Sequence, residues 1–553
     1  MPSRARLLSW VRLTSVVRRL AALVFVAALV ACGGARETET DADAGRLFAR
    51  GIEQITDLYI EPISSQKLIT VGATNLAKLD QRLGVTMGGD PRYRDQLTLT
   101  YDGIVVGAFP VPLEISAIDA GQTVAGLIAA AKKASGHIAS MSDDAIEKAV
   151  FDGMTGVLDR FSHYSPPDEA REQRASRDGF GGIGISLEST NDDFRITSVA
   201  EQSPAERAGL RAGDRIVAID GQATAGHHAA EIIHLLRGPI SSTVTVTIAR
   251  EGVPGTRDFK IGRMLVVTPT VTAARDGSVA IFHIASFNQS TTQLLTESIA
   301  SEERAAGGHL AGIVLDLRGN PGGLLDQAVS LADLFIAKGP IIATVGRHPA
   351  SHQYFAASGH ATASTIPLVV LINGGSASAA EIVAAALQDV GRAVVIGSSS
   401  YGKGTVQTVM RLPNDGELTL TWARLVTPSG YYLQAHGVVP TLCTAGLADD
   451  NGALDAALRR AAEAAPDAVS ASRPRASLDD NAWRQLRQSC PARAESPQLD
   501  LKIAERVLAD PARYGQAVGV IHASAPALHS ALTPSGRALT ASSRPLSSKA
   551  AIP

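Results

Sequence analysis

Three short, mainly apolar runs constrain the fold of this chain more than any other feature of its sequence. They are Gly312–Leu317, Leu368–Ile372 and Ala393–Ile396. Runs of this length without regular polar alternation are typical of strands that are buried on both faces. Helical patterns lie between them, and strands that alternate with helices pair in parallel. We therefore predict an α/β core with a partly parallel sheet over residues 264–445.

The region before this core, residues 44–177, is predicted to be mainly helical. Its clearest helix begins after Ser142, a favourable N-cap residue, and has apolar side chains at every fourth position from Ile146 to Leu158. Two β-like runs, Leu97–Thr100 and Ile104–Val106, interrupt the helical pattern. The fold class expected for the whole chain is therefore multidomain, combining α/β and α+β parts.

The N-terminus has the three parts of a secretory signal. Five arginines precede the apolar run Leu20–Ala31, which is too short to span a bilayer, and Cys32 follows in a lipobox-like context. We predict a lipoprotein signal peptide over residues 1–32, with Cys32 as the lipidated residue, and a polar tether over 33–43. An ordinary signal peptide with a chance cysteine, or an uncleaved anchor, are the alternatives. The expected location is the bacterial cell envelope, facing the periplasm or the exterior.

Composition excludes one class of partner. A formal net charge of −3 and 4% aromatic residues argue against a nucleic-acid-binding surface. Apart from Cys32 the chain has Cys443 and Cys490, and the sequence leaves open whether they form a disulfide. Residues 446–553 are predicted to form a partly disordered extension, with one helix over Asp500–Leu508.

The second block, residues 178–263, carries a glycine-rich loop followed by strand and helix patterns. It begins with Phe180-Gly-Gly-Ile-Gly-Ile and continues through Ser203-Pro-Ala-Glu-Arg-Ala-Gly-Leu. This arrangement resembles a PDZ domain. The resemblance implies that a ligand tail adds to a sheet edge and that its carboxylate binds loop N–H groups. Gly182, Ile183, Gly184 and Ile185 are the peptide-binding residues implied.

The stretch Asn373-Gly-Gly-Ser-Ala-Ser-Ala-Ala-Glu-Ile382 follows a predicted strand and opens a helical pattern. Taken alone, its serines favour helix capping over nucleophilic chemistry. Downstream, Gly397-Ser-Ser-Ser-Tyr-Gly-Lys-Gly-Thr405 nearly matches a phosphate-binding loop. However, Gly404 replaces the hydroxyl residue, and a strand pattern follows where that motif needs a helix. A serine nucleophile with a lysine base is the alternative, since burial can make an amine neutral.

The two stretches together resemble the carboxy-terminal processing, or tail-specific, serine proteases that contain a PDZ domain. The same resemblance extends to Asp316-Leu-Arg-Gly-Asn-Pro-Gly-Gly323, Leu425-Val-Thr-Pro-Ser-Gly430 and the segment Gly153–Tyr164. It covers roughly residues 140–445. The chain departs from the family pattern at Ala380, where a third serine is usual.

The resemblance implies a role for each residue of the site. Ser378 would be the nucleophile, Lys403 the general base, and Gln407 the residue that orients the lysine amine. The N–H groups of Gly322 and Ala379 would form the oxyanion hole.

Two further expectations concern residues outside that dyad. Ser376 would cap the helix. His227 and His228 are adjacent and project differently, so they make a poor metal pair. No metal and no organic cofactor are predicted.

We therefore predict a serine endopeptidase with a Ser–Lys dyad that cleaves envelope proteins near or from their C-termini. Its partners would be protein substrates with free, apolar C-termini, the membrane through a lipid anchor, and an activating adaptor protein. The alternative is a catalytically inert PDZ scaffold lipoprotein that binds protein C-termini.

Overall fold

The computed structural model describes residues 42–88, 95–190, 193–469, 479–495 and 497–524. The predicted signal peptide, Cys32 and most of the tether lie outside these residues. Within them, no helix is both long enough and apolar enough to cross a bilayer.

The N-terminal region is helical with a small antiparallel sheet of order β1-β2-β3. The two predicted β-like runs lie in strands β2 and β3, as expected. The elements of this region are α1 (42–58), α2 (Ser65–Ala77), β1 (Leu83–Met87), β2 (Gln96–Tyr101), β3 (Ile104–Pro110), α3 (Ala117–Ala134), α4 (Gly136–Ala139), α5 (Asp143–Thr155), β4 (His163–Ser165) and α6 (Pro167–Asp178). Helix α5 begins after Ser142, whose side chain accepts a hydrogen bond from Ala145 N–H.

The PDZ region is built on a sheet of order β11-β10-β8-β7-β6, so β6 is an edge strand. Its elements are β5 (Phe180–Gly182), β6 (Ile185–Thr190), β7 (Asp193–Val199), α7 (Pro204–Ala208), β8 (Arg215–Ile219), β9 (Gln222–Ala223), α8 (Ala229–Leu236), β10 (Thr243–Ala249), β11 (Thr256–Gly262) and β12 (Met264–Val266). The alternating sequence of β10 buries Val244, Val246 and Ile248 against its own hydrophobic cluster.

The core contains two sheets. The first has the order β13-β14-β15-β18-β19-β22 and is parallel from β14 to β22, which confirms the partly parallel α/β prediction. The second has the order β17-β16-β21-β20, and strand β4 of the N-terminal region pairs with β21. The core elements are β13 (Val271–Asp276), β14 (Val279–Ile284), α9 (Thr291–Ala305), β15 (Gly312–Asp316), α10 (Leu325–Asp333), β16 (Pro340–Val345), a 3-10 turn (Pro349–Ser351), β17 (Gln353–Ala356), β18 (Leu368–Ile372), α11 (Ala379–Asp389), β19 (Val394–Gly397), β20 (Thr405–Arg411), β21 (Glu417–Val426) and β22 (Leu442–Cys443).

Helix α11 occupies the centre of the core. Every residue from Ala379 to Asp389 is buried, and a helix that is buried all round needs small or apolar side chains. The alanine-rich sequence meets this need, because small side chains let neighbouring elements approach closely. Ala380, which is fully buried, is one of these packing positions.

The helices of the C-terminal extension are α12 (Ala453–Val469), α13 (Asp480–Ser489), α14 (Gln498–Ala509) and α15 (Pro511–Ser524). Helices α12, α14 and α15 pack on the face of the first sheet opposite to α11, whereas Trp483 and Cys490 of the α13 segment join the cluster on the α11 face. Leu499, Ile503 and Val507 of α14 share a buried cluster with the sheet residues Val314 and Val369. Cys443 and Cys490 form a disulfide, which resolves the alternative that the sequence left open. The boundaries drawn between domains from the sequence stay predictions.

Candidate active site

Ser378 lies at the sharp turn between β18 and α11. Its backbone angles are φ 54° and ψ −113°, a combination that residues other than glycine rarely adopt. Holding a residue in such a region costs on the order of 1–3 kcal/mol, and the surrounding structure must impose it. The Ser378 N–H donates to Glu381 Oε2 at 2.8 Å. The turn therefore places Ser378 at the N-terminal end of a buried helix, where the helix dipole favours negative charge.

Ser376 is structural, but the expectation that it caps the helix was wrong. Its Oγ accepts a hydrogen bond from Asn373 N–H at 3.0 Å and donates to the Leu317 carbonyl at 2.8 Å. These bonds join the ends of two neighbouring parallel strands. The N-cap position of α11 belongs to Ser378, because the chain makes a tight turn after β18 and the helix begins only at Ala379.

Lys403 reaches the site from the loop between β19 and β20. Burial lowers the pKa of Lys403; the Arg160 charge adds to this effect, and Glu381 and Asp159 oppose it. The Nζ atom lies 4.8 Å from the centre of the Phe161 ring. No described residue forms a hydrogen bond or ion pair with this Nζ atom. Burial therefore shifts the protonation equilibrium of this amine toward the neutral form.

Glu381 joins the serine turn to the lysine loop, a role that we did not predict. Its side chain is fully buried. Oε2 accepts the Ser378 N–H at 2.8 Å and the Lys403 N–H at 2.9 Å. Oε1 accepts the Gly402 N–H at 2.7 Å and the Ser400 hydroxyl. Burial raises the pKa of Glu381, and the four donated hydrogen bonds oppose that rise.

The sequence contained only half of the signal for this role. A glutamate three residues after a serine at a helix start has capping-box spacing, which predicts the bond to the Ser378 N–H. The bonds to the lysine loop connect residues about twenty positions apart, and only the packing of β19 against β18 brings them together.

Gln407 lies on β20, as predicted for that segment, and its side chain binds two hydroxyl groups. Its Nε2 donates to Thr405 Oγ1 at 3.0 Å and to Thr421 Oγ1 at 3.1 Å. Among the described residues, Gln407 forms no hydrogen bond with Lys403. Because these bonds use the nitrogen, the side-chain oxygen is the atom that could accept a hydrogen bond from an amine.

The structure brings the two predicted oxyanion donors together. A Cβ on Gly322 would lie 2.8 Å from Ser378 Cβ and 3.1 Å from Ala379 N, so the Gly322 backbone packs directly on the serine turn. The Ala379 N–H donates to no acceptor among the described residues. The Gly322 N–H, in contrast, donates to Asn320 Oδ1 at 2.8 Å. The Ala379 N–H is therefore available to an oxyanion, whereas the Gly322 N–H is already bound to Asn320.

A cavity of about 490 Å³ lies next to residues that contact Lys403 and Gln407, and its lining includes neither Lys403 nor Ser378. Phe161, which faces the Lys403 amine, forms one wall, and Thr405 and Thr421, which bind Gln407, form another. Tyr59 and Tyr432 complete its aromatic lining. A partly apolar cleft of this kind can hold a peptide side chain.

The predicted PDZ residues form the loop before the edge strand β6. Gly182 ends β5, Ile183 is buried in the domain core, and Ile185 begins β6. Gly184 has φ 81°, and a Cβ there would lie 2.4 Å from Ser203 Cβ, so only glycine fits. Ile183 of the loop and Ile232 and Leu236 of α8 belong to the same hydrophobic cluster, and β6 is an edge strand of the sheet.

Among the described residues, no group of His, Cys, Asp and Glu side chains has the geometry of a metal site. His227 instead contacts Glu231 of α8, with 3.1 Å between Nδ1 and Oε2.

Comparisons with known proteins identify two families in this chain. The family model for peptidase family S41 matches residues 278–443, and a PDZ domain model matches residues 195–250. The carboxy-terminal-processing protease of Bartonella bacilliformis is 41% identical over 54% of this chain and 69% of its own length. The carboxy-terminal processing protease CtpA of Bacillus subtilis is 35% identical over 54% of this chain and 64% of its own length.

Among solved structures, the photosystem II D1 C-terminal processing protease is 29% identical, covers 53% of this chain and 81% of its own, and has a TM-score of 0.32. The Bartonella relative exceeds 30% identity, and the match covers more than two thirds of its length. The chain therefore belongs to the carboxy-terminal processing proteases of peptidase family S41, a family of serine peptidases, and it carries a PDZ domain.

Proposed function

We propose that this protein hydrolyses peptide bonds of envelope proteins, near or at their C-termini, with Ser378 as nucleophile and Lys403 as general base. The observation that carries the proposal is the buried Glu381 carboxylate. One of its oxygens, Oε2, accepts hydrogen bonds from the backbone N–H groups of Ser378 and Lys403. A shared acceptor fixes the distance between the two loops, and a nucleophile needs its base at a fixed distance.

In the acylation step, Ser378 Oγ attacks the substrate carbonyl carbon and its proton passes to the neutral Lys403 amine. The oxyanion that forms accepts a hydrogen bond from the Ala379 N–H. It accepts a second hydrogen bond from the Gly322 N–H once that group shares or leaves its bond to Asn320. Collapse of the intermediate breaks the C–N bond, and the departing amine takes the proton from Lys403. Water then hydrolyses the acyl-enzyme by the same route and regenerates both groups.

Gln407 is proposed to orient the Lys403 amine through its side-chain oxygen. The hydroxyl groups of Thr405 and Thr421 bind its nitrogen and so determine which atom faces outward. A fixed acceptor beside the amine would turn the nitrogen lone pair toward the Ser378 hydroxyl.

The PDZ region is proposed to select substrates by their tails. A free C-terminal carboxylate would bind the N–H groups of the loop Gly182–Ile185, and the tail would pair with the exposed edge of β6. An apolar last side chain fits this site, because Ile183 and Ile185 belong to or pack against the domain core. An adaptor protein that activates the enzyme stays part of the proposal.

Lipidation at Cys32 would hold the enzyme at the envelope membrane. Cys32→Ser should abolish acyl labelling and release the protein from the membrane fraction or leave it unprocessed. Unchanged labelling and unchanged membrane association of this variant would contradict the anchor.

A direct test of the function compares the wild type with Ser378→Ala on a peptide with a free apolar C-terminus. The wild type should cleave it, and Ser378→Ala should bind it without cleavage. If both proteins bind the tail and neither cleaves it, the chain is an inert scaffold. The same peptide with an amidated C-terminus should be cleaved more slowly, because it lacks the carboxylate.

A further inference from the structure

We propose that residues 480–495, termed the C-terminal clamp, position the protease site, and that Arg487 is its principal positioning residue. The clamp consists of helix α13 and the segment that follows it. It lies outside residues 278–443, where the family model matches, and outside the part of the chain that carried the resemblance. This inference rests on the proposed function of Ser378 and Lys403.

Arg487 holds the lysine loop from behind. Its Nη2 donates to the Ser400 carbonyl at 2.9 Å, and its Nη1 donates to the His436 carbonyl at 2.5 Å. The Ser400 hydroxyl in turn donates to Glu381 Oε1. One side chain of the extension is therefore two hydrogen bonds away from the carboxylate that joins the serine turn to the lysine loop.

The crowding around Gly437 shows how closely these groups meet. A Cβ at this position would lie 2.6 Å from Arg487 Nη1, 2.7 Å from Ser400 Oγ and 3.1 Å from Glu381 Oε1. The guanidinium thus lies within a few ångströms of the buried carboxylate. A positive charge at this distance stabilises the ionised form of Glu381, which is the form that can accept all four donated hydrogen bonds.

The clamp also holds the serine turn. Gly374 N–H donates to the Arg493 carbonyl, and Asn373 Nδ2 donates to the Ala494 carbonyl at 2.9 Å. Asn373 Oδ1 accepts the N–H groups of Gly319 and Gly375, at 2.9 Å each. Through Asn373, the clamp is connected to the turn that carries Ser378 and to the loop that leads to Gly322.

Two features hold the clamp itself in place. The disulfide between Cys443 and Cys490 joins the end of α13 to the end of β22, with 5.8 Å between the Cα atoms. Nearer the start of the helix, Trp483 is buried and stacks on His436 with 4.7 Å between ring centres. A helix of this length has little stability by itself, so these tertiary contacts determine whether it stays docked.

The clamp contacts the backbone of both catalytic loops and none of the proposed reacting atoms. Its loss should therefore lower kcat more than it raises KM, since the PDZ groove lies elsewhere and the clamp contacts the cavity lining at His436. A small displacement of a reacting group can lower a rate by about 100-fold.

The test measures kcat and KM on one peptide for Arg487→Gln, Arg487→Lys and the control Arg484→Gln. Arg484 lies on the same helix, and its guanidinium contacts only the Asp480 carbonyl of that helix among the described residues. We expect kcat to fall about 100-fold for Arg487→Gln and less for Arg487→Lys, which keeps the charge but can donate to fewer carbonyls. Arg484→Gln should match the wild type.

A second arm removes the disulfide with the double variant Cys443→Ser/Cys490→Ser. Its kcat should fall about tenfold, because clamp residues spend more time undocked. A dithiol reductant should lower the kcat of the wild type to the same level and leave the double variant unchanged. Thermal unfolding of each variant shows that the protein is folded at the assay temperature.

The outcomes separate this inference from the proposed function. If the wild type cleaves the peptide, Ser378→Ala does not, and folded Arg487→Gln keeps the kcat of the wild type, the clamp has no positioning role although the function stands. A loss confined to KM would also overturn the inference. If the wild type itself shows no Ser378-dependent cleavage, the proposed function fails first.

Discussion

The protease site and the PDZ groove are built in opposite ways. In the protease site, a strained Ser378 begins a helix that is buried along its whole length, and Glu381 has no exposed surface. In the PDZ groove, the strand β6 is at the sheet edge, and most of its residues are exposed or only partly buried. Helix α8 likewise buries only Ile232 and Leu236.

This difference is what the proposed roles of the two sites require. A nucleophile and its base must keep a fixed geometry, and a buried carboxylate with four donors maintains that geometry at the cost of desolvation. A tail-binding groove must leave a strand edge and loop N–H groups unpaired for its ligand. We expect changes in the protease site to alter kcat and changes in the groove to alter KM.

The largest expected effect comes from the proposed dyad. Lys403→Arg should lower kcat at least about 10⁴-fold, as much as Lys403→Ala, because a guanidinium stays protonated and cannot accept the serine proton. The losses of Ser378→Ala and Lys403→Ala should not add. Peptide hydrolysis measures the rates, and circular dichroism checks the fold.

Wild-type activity should also rise with pH as the Lys403 amine loses its proton, and burial moves this rise to a lower pH than an exposed lysine would show. Near-normal turnover by folded Lys403→Arg would exclude lysine as the base.

A smaller effect is expected from Glu381→Gln, which should lower kcat about 100-fold with little change in KM. Glutamine has an NH2 group in place of one carboxylate oxygen, and this group would face two of the hydrogen-bond donors that Glu381 now accepts. The serine turn and the lysine loop would therefore move apart. Steady-state kinetics on a short peptide measures the change.

The matched control for Glu381→Gln is Asp214→Asn. Asp214 is another buried carboxylate, and it pairs with Arg250 in the PDZ region. This control should lower stability and leave kcat on the short peptide unchanged. Equal kcat values for Glu381→Gln and Asp214→Asn would mean that Glu381 does not position the serine turn and the lysine loop.

A still smaller effect is expected in the groove. Gly184→Ala should raise KM about tenfold for a substrate with a free apolar tail and leave kcat unchanged, since the new Cβ would displace Ser203 and distort the loop. The control is Gly221→Ala, at a glycine with similar φ but with open space around its Cβ position. If both variants raise KM equally, backbone strain and not the groove explains the result.

The smallest effect concerns stability. Because burial lowers the pKa of Lys403, the unfolded chain binds one more proton than the folded chain between the folded pKa and the ordinary value near 10.4. The stability that the folded protein loses by burying the charged Lys403 is therefore largest below the folded pKa. This loss disappears as the pH rises from the folded pKa to the ordinary value. Lys403→Met should raise Tm by a few degrees at pH 7, and the gain should shrink toward pH 10. Thermal unfolding at both pH values would show it, and a lower Tm for Lys403→Met would contradict the inferred burial cost.

The sequence by itself determined the parts of this protein that depend on local pattern. The runs Leu368–Ile372 and Thr405–Met410 lie in strands β18 and β20, and the pattern after Ser142 is a helix. Their periodicity and caps reflect interactions between residues a few positions apart, which any short segment contains. Motif order was enough to identify the family.

Tertiary structure alone decided how these parts act on one another. The bond between Arg487 and Ser400, the disulfide between Cys443 and Cys490 and the placement of Glu381 against the lysine loop all join segments that are distant in sequence. Ser376 shows the same limit, since its partner Leu317 follows another strand, β15. Such contacts depend on which surfaces pack together, and no local propensity encodes that choice.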